Sequence, residues 1–194
     1  KRELFMQTFK EYFSDYEVIE RSLSPEANRD QVFKAGEGAG RSGSFFFFSK
    51  DQKFIIKTMT DSDFNAFARI QKAYFAHVAR HDNSLLARVY GIYSVKMEDQ
   101  KPVKLLVMEN GMKGISDVLG VFDLKGSMVN RILKGKNFKP TATLKDKNLL
   151  AMNQEKIWLR FSEKDRRDIL KIMRTDVKIL QTYNLMDYSL LMGS

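Results

Sequence analysis

The sequence predicts an α+β fold, and three observations carry that prediction. Two apolar segments separated by a short polar turn occur twice in the first 110 residues, with a helical pattern between them. A longer helical pattern follows in the second half, and a short apolar segment closes the 194 residues.

The elements follow in order. Phe5, Phe9, Tyr12, Phe13 and Tyr16 recur at helical spacing, so Lys1–Ser22 predicts an N-terminal helix that Ser24-Pro25 ends. Phe45–Phe48 and Phe54–Lys57 flank the polar turn Ser49–Lys53 and predict a first hairpin. Thr60 stands three residues before Asp63 as in a capping box, and Phe64, Phe67, Tyr74, Phe75 and Val78 mark one helical face. Val89, Gly91, Tyr93 and Val95 alternate, and Val103–Met108 returns after the turn Lys96–Pro102. Val121–Ser127 reads as a strand entering a turn, and Arg131–Lys147 as a basic loop broken by Gly and Pro. Ser162–Thr182 is helical, with Ile169, Met173, Val177 and Leu180 on one face. Leu185–Leu191 reads as an apolar strand containing one acid, Asp187.

Composition narrows the function classes. With 43% hydrophobic residues, 15 Phe and 10 Met, the chain can bury a soft core as one domain or two small lobes. No apolar run is long enough for a membrane-spanning helix, and Lys1–Lys10 lacks the apolar core expected of a signal peptide. The absence of cysteine excludes disulfides and thiolate metal sites and fits a reducing compartment. Net charge is +9 and unevenly spread: residues 112–178 hold 16 Lys/Arg against 8 Asp/Glu. That half calls for an anionic partner, a membrane surface or a nucleic acid, unless it is only a solvated cationic face. No base-reading motif accompanies it, so nucleic acid is not expected.

The glycines of Gly36–Ser44 are the most informative stretch. Gly38, Gly40 and Gly43 satisfy G-x-G-x-x-G, but they lead into the strand-like phenylalanine run rather than a helix. A dinucleotide fingerprint opens a helix. Glycines before a hairpin whose return strand presents a lysine, Lys57, form the arrangement by which kinases hold phosphates. A flexible loop between two core strands is the alternative for the loop alone. Hairpin, lysine strand, helix and second hairpin, ending at Glu109-Asn110-Gly111, is the element order of a kinase small lobe.

Three segments then sharpen the reading: Phe122-Asp-Leu-Lys-Gly-Ser127, Thr143-Leu-Lys-Asp-Lys-Asn-Leu-Leu150 and Met186-Asp-Tyr-Ser-Leu-Leu191. In these, and in the glycine loop, Ile55-Ile56-Lys57 and Arg174-Thr-Asp-Val177, the chain resembles the phosphatidylinositol phosphate kinase family from about residue 36 onward. The resemblance implies a two-lobed lipid-kinase-like fold. An antiparallel-sheet small lobe would span residues 1–110, and the first part of an incomplete large lobe residues 111–194.

It also implies ATP and Mg2+ as cofactors, a phosphoinositide substrate and an anionic membrane surface as partner. It places the protein in the cytoplasm, peripheral at the cytosolic face of membranes, and admits a homodimer. Gly38, Gly40, Gly43, Ser44, Lys57, Met108, Glu109 and Lys125 would bind ATP. Asp187, with Lys57, would be catalytic, its carboxylate accepting a hydrogen bond from the inositol hydroxyl. Arg131 would lie near the substrate.

The default reaction is phosphorylation of phosphatidylinositol 4-phosphate at position 5. Phosphatidylinositol 5-phosphate 4-kinase activity, or a kinase-like module that binds ATP or membrane without turnover, are the alternatives. Two departures bear on them. The interior of Phe64–Val78 has no acid to pair with Lys57, so either Asp61 or Asp63 substitutes or Lys57 lacks its usual partner. The family's magnesium-binding aspartate would follow Met186–Leu191 and has no counterpart here, so no metal ligand is assigned and residues 1–194 alone are expected to have negligible lipid kinase activity. Other signals are weaker. His77 and His81 lack a third ligand, the phenylalanine run is better strand core than base platform, and Trp158 is better packing than lipid contact.

Overall fold

The computed structural model describes residues 16–29, 45–96, 98–99, 101–114, 120–135, 142–155 and 161–193. The chain divides into two compact units, Lys1–Lys113 and Gly114–Ser194. The secondary structure is α+β, as the sequence predicts.

The first unit opens on α1 (Tyr16–Leu23) and the four-residue α2 (Pro25–Asn28). The predicted helix over residues 1–22 is seen from Tyr16 on, and its earlier part lies outside the described residues. Ser24 does end α1, and it also caps α2, its Oγ accepting the Ala27 N–H at 3.1 Å ahead of Pro25. Strands β1 (Phe46–Phe48), β2 (Phe54–Met59), β3 (Val89–Val95) and β4 (Val103–Glu109) form an antiparallel sheet in the order β1-β2-β4-β3. Both predicted hairpins are present, and β4 inserts between β2 and β3, pairing Ile56 with Val107 and Lys57 with Leu106.

Helix α3 (Asp61–Arg80) follows β2 and begins in the expected capping box. Thr60 Oγ1 accepts the Asp63 N–H at 3.1 Å, and Asp63 accepts the Thr60 N–H at 3.3 Å. Its buried face is Ile70, Tyr74, Phe75 and Val78. Burial of each large apolar side chain contributes about 1.5–3 kcal/mol. Tyr74 also ties the helix to the sheet. Its hydroxyl donates to the Ala87 carbonyl at 2.5 Å and accepts the Val89 N–H at 2.9 Å, while burial pushes its pKa up to about 12. A second core joins Ile19 of α1 to Phe54 and Val107, with Tyr90 edge-on to Phe54 at 5.1 Å.

The second unit is built on β5 (Val121–Leu124), β6 (Thr143–Lys145) and β7 (Leu190–Gly193), with α4 (Asp146–Glu155) and α5 (Glu163–Thr182). β5 is central, parallel to β6 and antiparallel to β7. Fully buried Phe122 and Leu144 pair across β5 and β6. Helix α5 starts where expected, with Ser162 Oγ accepting the Asp165 N–H at 3.1 Å.

Two expectations are corrected here. Residues 131–147 are not loop throughout: Thr143–Lys145 is a strand, and Asp146 begins a helix. Three residues are too few to show alternation, and this strand exists because β5 offers a parallel partner. The acid of the terminal segment is not within a strand either. Asp187 lies in a turn at φ 60°, and β7 begins only at Leu190.

Candidate active site

Two groups of residues named from the sequence are described, one in each unit. In the first, Lys57 stands mid-strand in β2 directly opposite Phe46, with Nζ 5.3 Å from that ring's centroid. Neither substitute acid serves it. Asp61 pairs with Lys104 at 2.5 Å, which lies over the Phe64 ring as well, and Asp63 is committed to its capping box. Among the described residues no carboxylate forms an ion pair with Lys57. The absence of an acid between Phe64 and Val78, legible in the sequence, has its structural counterpart in this cation–π contact.

Met108 and Glu109 close β4. The Glu109 N–H donates to the Arg88 carbonyl at 2.8 Å and the Asn110 N–H to the Lys53 carbonyl at 2.8 Å. Buried Asn110 anchors the exit, its Nδ2 donating to the Gln52 carbonyl and its Oδ1 accepting the Met112 N–H. Gly38, Gly40, Gly43 and Ser44 lie outside the described residues, as does Trp158. His77 and His81 face each other at 4.7 Å between ring centroids. Among the described residues no three His, Asp or Glu gather as a cation site.

In the second unit, Lys125 and Asp187 meet although 62 residues apart. Lys125 Nζ is 3.3 Å from Asp187 Oδ1. Lys125 follows β5, and Asp187 is held in the left-handed region, which Asp tolerates better than most residues. The Asp187 side chain is 89% exposed. An ion pair so open contributes only about 0–1 kcal/mol to stability, so structure alone does not explain it. It is a cation beside a carboxylate with free acceptor capacity, the pair of charges that phosphoryl transfer to a hydroxyl uses.

The second unit matches a known pattern along its whole described length. The sequence profile described as Phosphatidylinositol-4-phosphate 5-Kinase covers residues 27–194. The chain belongs to the phosphatidylinositol-4-phosphate 5-kinase family. It is 35% identical over 159 residues to a phosphatidylinositol 4-phosphate 5-kinase of Schizosaccharomyces pombe, covering 81% of this chain and 21% of the relative. It is 37% identical over 170 residues to a probable phosphatidylinositol phosphate kinase of Dictyostelium discoideum, covering 84% of this chain and 23% of the relative. A phosphatidylinositol 4-phosphate 5-kinase of Arabidopsis thaliana is 33% identical over 79% of this chain and 20% of its own length. The chain thus spans about a fifth of the curated relatives it matches.

Arg131 follows the Phe122–Ser127 motif by four residues. Its guanidinium does not reach out as a substrate arm would. Nε donates to Asp146 Oδ2 at 2.7 Å, Nη2 lies 3.2 Å from Asp123 Oδ2, and Nη2 also donates to the Asp123 carbonyl. Only 12% of its side chain is exposed. These carboxylates hold the guanidinium pKa above its ordinary value, with Asp146 the stronger partner.

Asp146 itself was missed as a site residue. Its Oδ1 accepts the backbone N–H groups of Lys125 at 3.0 Å and Gly126 at 2.8 Å. Burial pushes its carboxyl up, but the Arg131 bond and these backbone donors outweigh that and hold it below the usual carboxylate range. Two residues on, Asn148 accepts the N–H groups of Leu133 and Lys145 and donates to the Leu133 carbonyl. The available signal was the Asp146-Lys147-Asn148 triplet at a strand-to-helix junction, where acceptor side chains commonly bind free backbone donors.

Proposed function

We propose that this chain is the part of an ATP-dependent phosphatidylinositol phosphate kinase that contacts ATP phosphates and orients the attacking hydroxyl. The observation that carries the reading is the exposed Lys125–Asp187 pair at 3.3 Å, built from two family motifs far apart in sequence. Asp187 accepts a hydrogen bond from the inositol hydroxyl and draws off its proton as the γ-phosphoryl moves across. Lys125 neutralises charge that develops on the phosphoryl oxygens. Lys57 contacts the ATP phosphates, Met108 and Glu109 border the adenine, and Gly38, Gly40, Gly43 and Ser44 cover the phosphates. Mg2+ would neutralise the β- and γ-phosphates when bound. The two units act as small and large lobes of the kinase.

The substrate is phosphatidylinositol 4-phosphate and the product carries the new phosphate at position 5. The family profile and the names of the relatives support that isomer. The protein works at the cytosolic face of membranes. Exposed Lys164, Arg166, Arg167, Lys171, Arg174 and Lys178 on α5 contribute to the basic charge that attracts anionic lipid.

The test uses the full protein on mixed vesicles of neutral lipid with either phosphatidylinositol 4-phosphate or phosphatidylinositol 5-phosphate, with γ-labelled ATP to locate the transferred phosphate. Asp187→Asn and Lys125→Met should each lower turnover by at least about 100-fold while the protein stays folded. Full turnover in Asp187→Asn refutes the assigned role, and consumption of phosphatidylinositol 5-phosphate rather than phosphatidylinositol 4-phosphate, with the transferred phosphate at position 4, replaces the substrate assignment.

A further inference from the structure

The turn that carries Lys125 is held from below. Asp146, the first residue of α4, gives one carboxylate oxygen to two successive backbone donors, Lys125 N–H and Gly126 N–H. Its other oxygen takes Arg131 Nε, and Arg131 in turn grips both the carbonyl and the carboxylate of Asp123, two residues before Lys125. The clamp therefore closes a ring: β5, the Lys125–Gly126 turn, Asp146, Arg131 and back to β5. The rest of the loop is stitched to α4 as well. The Lys147 N–H donates to the Arg131 carbonyl at 3.0 Å, and Asn148 holds both backbone groups of Leu133.

The ring has a consequence for Lys125. Gly126 sits at φ 66°, so the chain turns sharply just after the lysine, and an unrestrained turn there would let its side chain sweep over several ångströms. Charge-assisted bonds from an ionised carboxylate to backbone N–H groups are among the stronger restraints a protein can apply to a turn. Asp146 is buried and Arg131 mostly covered, at 10% and 12% side-chain exposure, whereas Lys125 and Asp187 above them are 31% and 89% exposed. The rigid part is beneath, and the reactive part is on top.

We propose that Asp146, fixed by Arg131, is a positioning residue for phosphoryl transfer, setting the Lys125–Gly126 turn so that Lys125 meets Asp187. The inference rests on the roles given to Lys125 and Asp187 above. It also assigns Arg131 a different part: the arginine acts on the reaction through Asp146 and does not touch the lipid. A near-attack geometry lost by about an ångström lowers the rate constant without weakening substrate binding. The clamp should thus be felt in kcat and not in KM.

The experiment compares the wild-type full protein with Asp146→Asn and Arg131→Lys, using Lys125→Met as reference. Asp146→Asn keeps the shape and one acceptor oxygen but loses the charge. Arg131→Lys keeps the cation and loses the fork. Both should lower kcat at least about tenfold with KM for lipid and for ATP within about twofold. In the same proteins, amide hydrogen exchange at Lys125 and Gly126 should accelerate at least about tenfold.

Three results overturn the proposal: wild-type kcat in either variant with faster exchange, unchanged exchange in Asp146→Asn, or a raised lipid KM with intact kcat in Arg131→Lys. The last result would restore Arg131 to the lipid. Failure of the underlying reading is told apart by the reference: if Lys125→Met keeps full turnover, the lysine's role falls whatever the amides do. Should Asp146→Asn not fold, Arg131→Lys carries the same kinetic and exchange readouts.

Discussion

Each unit contains one aspartate that gathers donors around a turn, and the two differ in what sits on the other side. In the first unit, Asp51 Oδ1 accepts from Ser49 Oγ at 2.7 Å, Ser22 Oγ at 2.8 Å and the Lys53 N–H at 3.1 Å. That knot ties α1 to the β1–β2 hairpin, and Ser49, 1% exposed, passes it on by accepting the Phe54 N–H. In the second unit, Asp146 takes two backbone donors with one oxygen and a guanidinium with the other. Asp51, its own side chain 38% exposed, is met mostly by neutral hydroxyls. Asp146 is met by a mostly covered cation, Arg131. The same side chain closes a hairpin in one place and fixes a charged turn in the other.

Partner charge sets the cost of failure. Removing one member of a buried ion pair strands the other, which costs more than losing neutral hydrogen bonds that water can replace. The largest expected effect is therefore Asp146→Ala, which leaves Arg131 with Asp123 as its remaining acid. It should destabilise the second unit by about 3 kcal/mol in denaturant unfolding. Asp51→Ala should cost about 1 kcal/mol in the first unit. Equal losses at the two sites would break the contrast.

The next test removes charge and keeps shape. An amide oxygen still accepts from hydroxyls and backbone N–H groups, so Asp51→Asn should lower stability by less than about 0.5 kcal/mol, and Asp146→Asn by about 1–2 kcal/mol. Urea titration of each variant decides whether charge, rather than acceptor geometry, separates the two knots.

Acid titration sharpens the same point. At both aspartates burial pushes the carboxyl up, and hydrogen bonds more than offset it, leaving the folded-state pKa below the ordinary value of 3.8. A depressed carboxylate stabilises the fold fully above its unfolded pKa and loses that contribution as pH falls through the folded value. The stability gap between wild type and Asp146→Asn should stay constant at neutral pH and narrow below about pH 4. A gap that widens on acidification would reverse the sign of the argument.

The smallest effect is expected at Asp61. Its pair with Lys104 is short, yet the carboxylate side chain is 87% exposed. Asp61→Asn should leave the melting temperature unchanged, with differential scanning calorimetry as the check. A clear loss would mean that exposure is a poor guide to the energetics of ion pairs in this protein.

Elements whose signals are local were legible in the sequence. The capping box at Thr60 and Asp63, the N-cap at Ser162 and the alternation of β3 all depend on residues a few positions apart, because helix ends and strand faces are decided at that range. The motifs also pointed to Lys125 and Asp187 one at a time.

Tertiary structure decided which groups meet. Pairing of β5 with β7 brings Asp187 to Lys125 across 62 residues, and the parallel strand β6 delivers Asp146 beneath the turn. A three-residue strand carries no periodic pattern to read, and an arginine in a basic loop looks the same whether it reaches outward or folds back. Only the register of the sheet, which sets the distance between groups remote in sequence, turned Arg131 inward onto two carboxylates and left Asp187 facing water.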